Sequence, residues 1–269
     1  MSPAATILTN ITRRTTGTIA HLTISRPAKL NALNTPLLDQ IPKTLQSLTS
    51  QNQDLLAIVL TGAGPKSFIG GADIAEMARL DSPPAAEAFI SRVHAVCASL
   101  RNCPVPVIGR INGYALGAGL EVAASCDLRV ASSNAVFGMP EVRIGIPSVV
   151  EAALLPGLIG WGRTRQLLLL GENIDAAEAF RWGLVEKVVE LGELDEAVEG
   201  WLCSLEKNGP LAVRRQKALM RTWENVSMDR AIQAGVAAFS EAFVAGEGEV
   251  TEPARMMEAF FQAKDEVTY

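Results

Sequence analysis

Apolar and polar positions alternate early in this chain and then switch to helical spacing. Between Thr18 and Ser25, Ile19, His21, Thr23 and Ser25 fall on one side and Ala20, Leu22 and Ile24 on the other, the two-residue period of a strand. With Ile7–Arg14 joined to it at Thr16-Gly17, this predicts an antiparallel strand pair. Arg26-Pro27 closes the second strand, because proline brings no N–H to the ladder. Leu37, Leu38, Ile41, Leu45 and Leu48 then repeat at helical spacing, predicting a helix with Thr35 as its cap and Pro36 in its first turn. Leu55–Thr61 is a continuous apolar run of strand length, so a helix lies between two strands, the pattern of a crossover unit.

Phe68–Ile74 reads as a glycine-hinged entry to a helix, with Asp73 as a helix-start carboxylate, and an Ala-rich helix follows over Ala85–Arg101. Val105–Ile111 predicts a buried strand and Leu120–Ala124 the first turns of a helix, with Gly117-Ala118-Gly119 as the tight turn between them. Short extended runs occupy Asp127–Ala131 and Ala135–Phe137. Beyond Glu151 the pattern is nearly all helical: Glu151–Ile159, Gly162–Leu170, Ala176–Trp182, Leu194–Lys207, Leu211–Asn225 and one or two helices from Met228 to Glu266. Gly183–Val189 reads as a short interruption. Strand signals in the first half and helices in the second predict an α/β core followed by a helical C-terminal portion.

The sharpest chemical hint lies at Gly117–Glu121. Glycine lets the backbone approach a ligand closely, and the first amides of a helix have no internal partner, so they suit an oxygen that gains negative charge. Glu121 follows about one helical turn later, which sets an acid beside an anion site. Glu141, in Gly138-Met-Pro-Glu141, is a second such carboxylate after a short extended run. Taken singly, either Glu reads first as a solvated helix or loop residue.

Composition narrows the classes. Hydrophobic residues make up 48 % of 269, enough for a sizeable core. A net charge of −5 without a basic block argues against nucleic acid as a main partner. No apolar run has the length of a membrane span. Cys97, Cys103, Cys126 and Cys203 show no C-x-x-C spacing, which predicts reduced thiols in an intracellular compartment. The two histidines are far apart; His21 reads as a strand-face residue and His94 as a helix-surface residue. No metal site is expected. The first acidic residue is Asp39, so the N-terminus has the composition of an organelle transit peptide as well as the alternation of strands. Cytoplasm or mitochondrion is the expected location.

Arg26-Pro-(three residues)-Asn31-Ala-Leu, Gly70-Gly-Ala-Asp-Ile74, Asn112-Gly-Tyr-Ala-Leu-Gly-Ala-Gly-Leu-Glu121, Gly138-Met-Pro-Glu141 and the segment Ala176–Val189 occur in this order at these spacings. Together they resemble the enoyl-CoA hydratase/isomerase (crotonase) superfamily over nearly the whole chain. The resemblance implies a crotonase-like ββα spiral core over residues 1–195, carrying the active site. It implies a helical region over 196–269 that mediates trimerisation, as a homotrimer or a dimer of trimers. An acyl-CoA thioester is the implied substrate, with no metal or redox cofactor. The amides of Ala72 and Ala118 would form the oxyanion hole. Glu121 would activate water for attack at C3, and Glu141 would deliver the proton to C2. Gly70, Gly71, Asp73, Ile74 and Gly117 would line the substrate site, with Lys29 and Lys264 as candidates for coenzyme A phosphates and Arg26 and Arg143 open to the same reading.

Retention of both glutamates points to hydration of a 2-enoyl-CoA, with Δ3-Δ2-enoyl-CoA isomerisation, another specialised thioester reaction or an RNA-binding role as alternatives. Ala118 stands where many members have glycine, which leaves the amide intact. After Gly145-Ile-Pro147, many hydratases continue with a glycine-rich segment, whereas this chain reads Ser148-Val-Val-Glu-Ala-Ala153. The expectation is a bulkier wall beside Glu141. Glu151 would be either a helix-start carboxylate or a further acid in the pocket.

Overall fold

The structure, a computed structural model, describes residues 5–246 and 249–267, with side chains as far as Gln262. The chain forms two compact units, Met1–Leu202 and Cys203–Tyr269.

In the first unit, strands β1 (Thr6–Arg13) and β2 (Thr18–Ser25) form the predicted antiparallel pair. His21 lies in β2 with its Nε2 3.2 Å from Thr12 Oγ1 on the neighbouring strand, a strand-face residue as expected. Helix α1 (Thr35–Gln51) buries Leu37, Leu38, Ile41, Leu45 and Leu48, the five residues its spacing singles out. Its cap is Asn34 instead of Thr35: the Asn34 side chain accepts from the Leu37 amide, and the Thr35 hydroxyl donates to Glu76. β3 (Leu55–Gly62) pairs parallel with β2, which makes the expected crossover unit. β4 (Ser67–Ile69), α2 (Ile74–Met77) and α3 (Pro83–Arg101) follow, and then β5 (Val107–Ile111), β6 (Tyr114–Leu116) and α4 (Ala118–Ala124). β7 (Leu128–Ser132) and β8 (Val136–Gly138) lead through two 3-10 turns, Pro140–Ile144 and Val150–Leu154, to α5 (Leu155–Leu170). Gly160, at φ 76°, interrupts α5 where two helices meet.

The unit closes with β9 (Asn173–Asp175), α6 (Ala176–Trp182), β10 (Lys187–Val189) and α7 (Leu194–Glu206), whose last turn crosses into the second unit. Two sheets result, in the orders β1-β2-β3-β5-β7-β10 and β4-β6-β8-β9. β3, β5 and β7 lie in the first sheet, and the strand after each lies in the second before a helix begins. The repeat is therefore strand, strand, helix, a ββα spiral. β3 is buried along nearly its whole length, as a strand sandwiched between layers must be.

β9 departs from the nearly all-helical reading of the second half, and β10 falls in the expected interruption at 183–189. β10 adds parallel to β7, and β9 antiparallel to β8. Each is only three residues long and carries no readable period. The second unit contains α8 (Pro210–Trp223), α9 (Met228–Glu241) and α10 (Glu252–Val267). Buried Glu252 accepts from the amides of Leu211 and Ala212 and so caps the start of α8. Among the described residues, no helix is long and apolar enough to cross a membrane.

Candidate active site

Two glycine hinges meet at one cavity. At the first, Gly71 takes φ +117°, and the 30–33 segment pairs with 70–73: the Leu33 amide donates to Gly71 O and the Asp73 amide to Leu33 O. Ala72 lies between these bonds with its own amide turned the other way. At the second, Gly117 takes φ +52° and its amide donates to Gly138 O, leaving Ala118 as the first residue of α4. Neither the Ala72 nor the Ala118 amide donates to another described residue. Both residues line a cavity of about 290 Å³, together with Gly70, Gly71, Ile74 and Gly117.

Glu121 and Glu141 line the same cavity. The remaining wall is largely apolar, from Met77 and Ile90 through Ile144 and Ile146 to Val149. Glu121 is 4 % exposed, and burial, reinforced by the charges of Glu141 and Glu151, pushes its pKa up to about 8. The Ala152 amide, 3.3 Å from Oε1, opposes that rise. Burial also raises Glu141, against the hydroxyl of Ser148, which donates to Oε2 at 2.9 Å and favours the carboxylate. The pair therefore holds a proton near neutral pH.

The other expected site residues divide. Arg143 lines the cavity. The Asp73 side chain does not line it; it caps α2 by accepting from the Ala75 and Glu76 amides and pairs with Arg26 at 2.5 Å. Desolvation opposes ionisation of Asp73, but the hydrogen bond from Arg26 and the backbone donors prevail and hold its pKa below the ordinary value. Asp73 and Arg26 thus shape the first hinge from behind. Lys29 sits in the exposed 3-10 turn Pro27–Lys29, away from the cavity lining, and the side chain of Lys264 lies outside the described residues.

Glu151 stands in the first turn of the 3-10 helix Val150–Leu154, as its helix-start reading expects, and not in the pocket. It is 3 % exposed and outside the cavity lining, and its carboxylate lies 3.0 Å from His94 Nδ1 and 3.6 Å from Arg101 Nη1. His94 is a helix-surface residue, as expected, but one with a buried partner.

Residues 14–257 match the model of the family described as enoyl-CoA hydratase/isomerase. The chain belongs to the enoyl-CoA hydratase/isomerase family. A short-chain-enoyl-CoA hydratase of Clostridium acetobutylicum is 39 % identical over 237 residues, 88 % of this chain and 90 % of its own length. A crotonyl-CoA hydratase of Syntrophomonas wolfei is 41 % identical over 228 residues, 84 % of this chain and 86 % of its own. The crystal structure of an enoyl-CoA hydratase from Bacillus anthracis superposes with a TM-score of 0.80 at 30 % identity, covering 87 % of this chain and 89 % of that one.

Within this family member, sequence reading missed two contributors to the site. One is the apolar wall from α2 and α3, where Met77, Ile90 and Val93 face the cavity. The spacing of Ile90 and Val93 on α3 carries that signal, but a fully buried helix face looks the same. The other is Ser148, which stands out in the sequence only as a departure from a glycine-rich segment and is the hydrogen-bond donor to Glu141.

Proposed function

We propose that this chain is an enoyl-CoA hydratase, adding water reversibly across C2–C3 of a 2-enoyl-CoA to give a 3-hydroxyacyl-CoA. The observation that carries the reading is the meeting of a buried and a half-buried carboxyl with two unspent backbone amides at one largely apolar cavity. The amides of Ala72 and Ala118 hold the thioester oxygen as it gains enolate charge, each such donor contributing about 3 kcal/mol to the transition state. Glu121 takes a proton from water as the oxygen bonds to C3. Glu141 gives a proton to C2.

Addition of water consumes one carboxyl proton and regenerates one, so the pair must enter with a single proton between its two members. The raised pKa values of both supply that state near neutral pH. The proton belongs to the pair and not to one member, so a single shared proton is compatible with delivery from Glu141. Glu141 lies against Gly117, the residue before the Ala118 amide, which suits a donor to the carbon next to the carbonyl.

The test is the ultraviolet absorbance of crotonyl-CoA. The wild type removes the conjugated enoyl thioester, and Glu121→Gln and Glu141→Gln each abolish that loss with the fold intact. Full activity in either variant overturns the assignment. A double-bond shift needs only one carboxyl, and a 3-enoyl-CoA substrate distinguishes an isomerase.

The second unit supports self-association. Met228, Ile232, Val236 and Phe239 recur on α9 and are all exposed, an apolar stripe suited to other copies of the chain. A homotrimer or dimer of trimers is the proposed assembly, read by light scattering, and Ile232→Asp is expected to dissociate it. Lys29 remains a proposed contact of the coenzyme A phosphates.

A further inference from the structure

Three consecutive residues behind Glu121 carry three unusual features. Val150 has φ +42°, a left-handed backbone that a β-branched residue adopts only under constraint. Glu151 is a buried carboxylate tied to α3 by His94 and Arg101. Ala152 shares its amide between Val149 O at 2.9 Å and Glu121 Oε1 at 3.3 Å. Strain, anchor and contact with the carboxyl thus follow one another along a single 3-10 turn.

Position 150 would be cheap for glycine, so the strain persists because something holds the turn. The anchor is well placed to do so. His94, Cys97 and Arg101 fall on one face of α3, and both cationic candidates reach the same carboxylate. His94 is 56 % exposed at its side chain, whereas Glu151 is enclosed. The contact to Glu121 occupies one of its two oxygens and leaves the other for the cavity.

We propose that Glu151, held by His94 and Arg101, is a positioning residue for Glu121: it fixes the strained turn whose Ala152 amide orients the Glu121 carboxyl, and it sets a further carboxylate behind the pair. The groups that face this cluster are few. Glu121 meets Glu141 from the 140–144 turn, Glu151 from the 150–154 turn and the buried Cys97 thiol from α3, itself pushed up by burial. Arg143 is the cation on the cavity side. α5, packed on the same turn, has only Arg163 and Arg165 as charged residues, and these lie over the rings of Trp182 and Trp161. Among the described residues, Glu151 is therefore the one carboxylate besides Glu141 placed to act on Glu121 through space.

The test separates this role from the hydratase reading, on which only its kinetic arm rests. Side-chain carboxyls are followed by NMR titration in protein labelled with carbon-13 glutamate, and Glu121→Gln identifies the Glu121 signal. Glu151→Gln keeps shape and hydrogen bonds but removes the charge. The Glu121 step then moves to lower pH, and the alkaline limb of kcat/KM for crotonyl-CoA moves with it. A Glu121 step that stays at its wild-type pH in the folded variant overturns the proposal, whatever the protein hydrates. A displaced step in a protein inactive on crotonyl-CoA upholds the proposal and counts against the hydratase reading instead. If Glu151→Gln does not fold, His94→Ala decides at a half-exposed position: kcat falls about tenfold with KM unchanged, the pattern of a misplaced catalytic group. Unchanged kcat in that variant overturns the proposal.

Discussion

The two glycine hinges offer the same backbone device in opposite settings. The first, Gly70–Ile74, opens a four-residue helix at the surface, where Ile74 is exposed and the hinge is braced by charged side chains. Arg26 grips Asp73, and Glu76 accepts from both the amide and the hydroxyl of Thr35. The second, Gly117–Glu121, opens a seven-residue helix with every residue buried, braced by packing and by backbone donors, Gly117 N–H to Gly138 O and Ala152 N–H to Glu121. A Cβ at Gly119 would stand 1.9 Å from the Ile69 carbonyl oxygen, so α4 rests directly on the end of β4. One hinge is thus a polar clasp at the rim and the other a fixed floor. The floor is the place for the carboxyl, because burial is what raises Glu121 into the range where it can hold a proton.

The contrast predicts that the floor breaks the fold and the rim does not. Gly119→Ala has the largest expected effect. The obstacle is backbone, which cannot swing aside, so α4 must leave β4, at a cost of about 3 kcal/mol in urea unfolding. Substitution without loss of stability would mean that the helix is not seated as tightly as its contacts indicate.

Next comes a pair of alanines. At Gly117, where φ +52° strains an alanine as φ +117° does at Gly71, a Cβ would in addition lie 2.3 Å from Glu141 Oε1, the free end of a side chain, so the acid is displaced. The expectation is a drop in kcat of about 10²-fold, the usual result of misplacing a catalytic group by an ångström. At Gly71 the nearest obstacle is Leu116 O at 3.2 Å and no carboxyl is near. Gly71→Ala should therefore strain the backbone and lower activity about tenfold at most, through the Ala72 amide. Equal losses of kcat at the two sites would remove the distinction between floor and rim.

Much of this contrast is legible in the amino-acid sequence alone. The five buried residues of α1 show as a period, and both hinges as glycine pairs before a helix. The hidden part is non-local or very short. β6, β9 and β10 have three residues each, too few to show alternation, and pairing fixes them: β6 with β4 and β8, β9 with β8, and β10 with β7. Thr35 resembles a cap because it precedes proline, but Glu76, 41 residues away in sequence, claims its hydroxyl and leaves capping to Asn34. His94 and Glu151 are separated by 57 residues and carry no local sign of one another. Spacing reveals what a residue does to its own element, and long-range charge pairing escapes it.

Removing the clasp should cost less than disturbing the floor. Arg26→Gln leaves Asp73 with its backbone donors alone and is expected to lose about 2 kcal/mol of stability at neutral pH. The pH dependence supplies a sharper check. The folded-state pKa of Asp73 lies below its unfolded value, so its contribution is complete above the unfolded pKa and disappears as pH falls through the folded one. Wild type therefore loses stability in the acid range below the ordinary aspartate pKa, and Arg26→Gln should lose less there. Parallel acid unfolding curves for the two proteins would show that the clasp is not what stabilises the Asp73 carboxylate.

The smallest effect belongs to Ser148, where floor and wall meet. Its hydroxyl donates to Glu141 Oε2, and nothing comparable from a side chain reaches Glu121, whose donor is the Ala152 amide. Ser148→Ala takes one stabilising bond from the Glu141 carboxylate, so the Glu141 pKa rises further and the shared proton moves toward Glu141. If Glu141 is the donor to C2, that shift favours the reactive arrangement and offsets part of the lost orientation. The net change in kcat is then at most about fivefold, within the roughly 1 kcal/mol of one hydrogen bond, and the acid limb of kcat/KM moves to higher pH. If Glu141 is instead the base, the same substitution withdraws the carboxylate that must accept a proton from water, and kcat falls without compensation. A pH–rate profile of this single variant thus reports which glutamate works as acid.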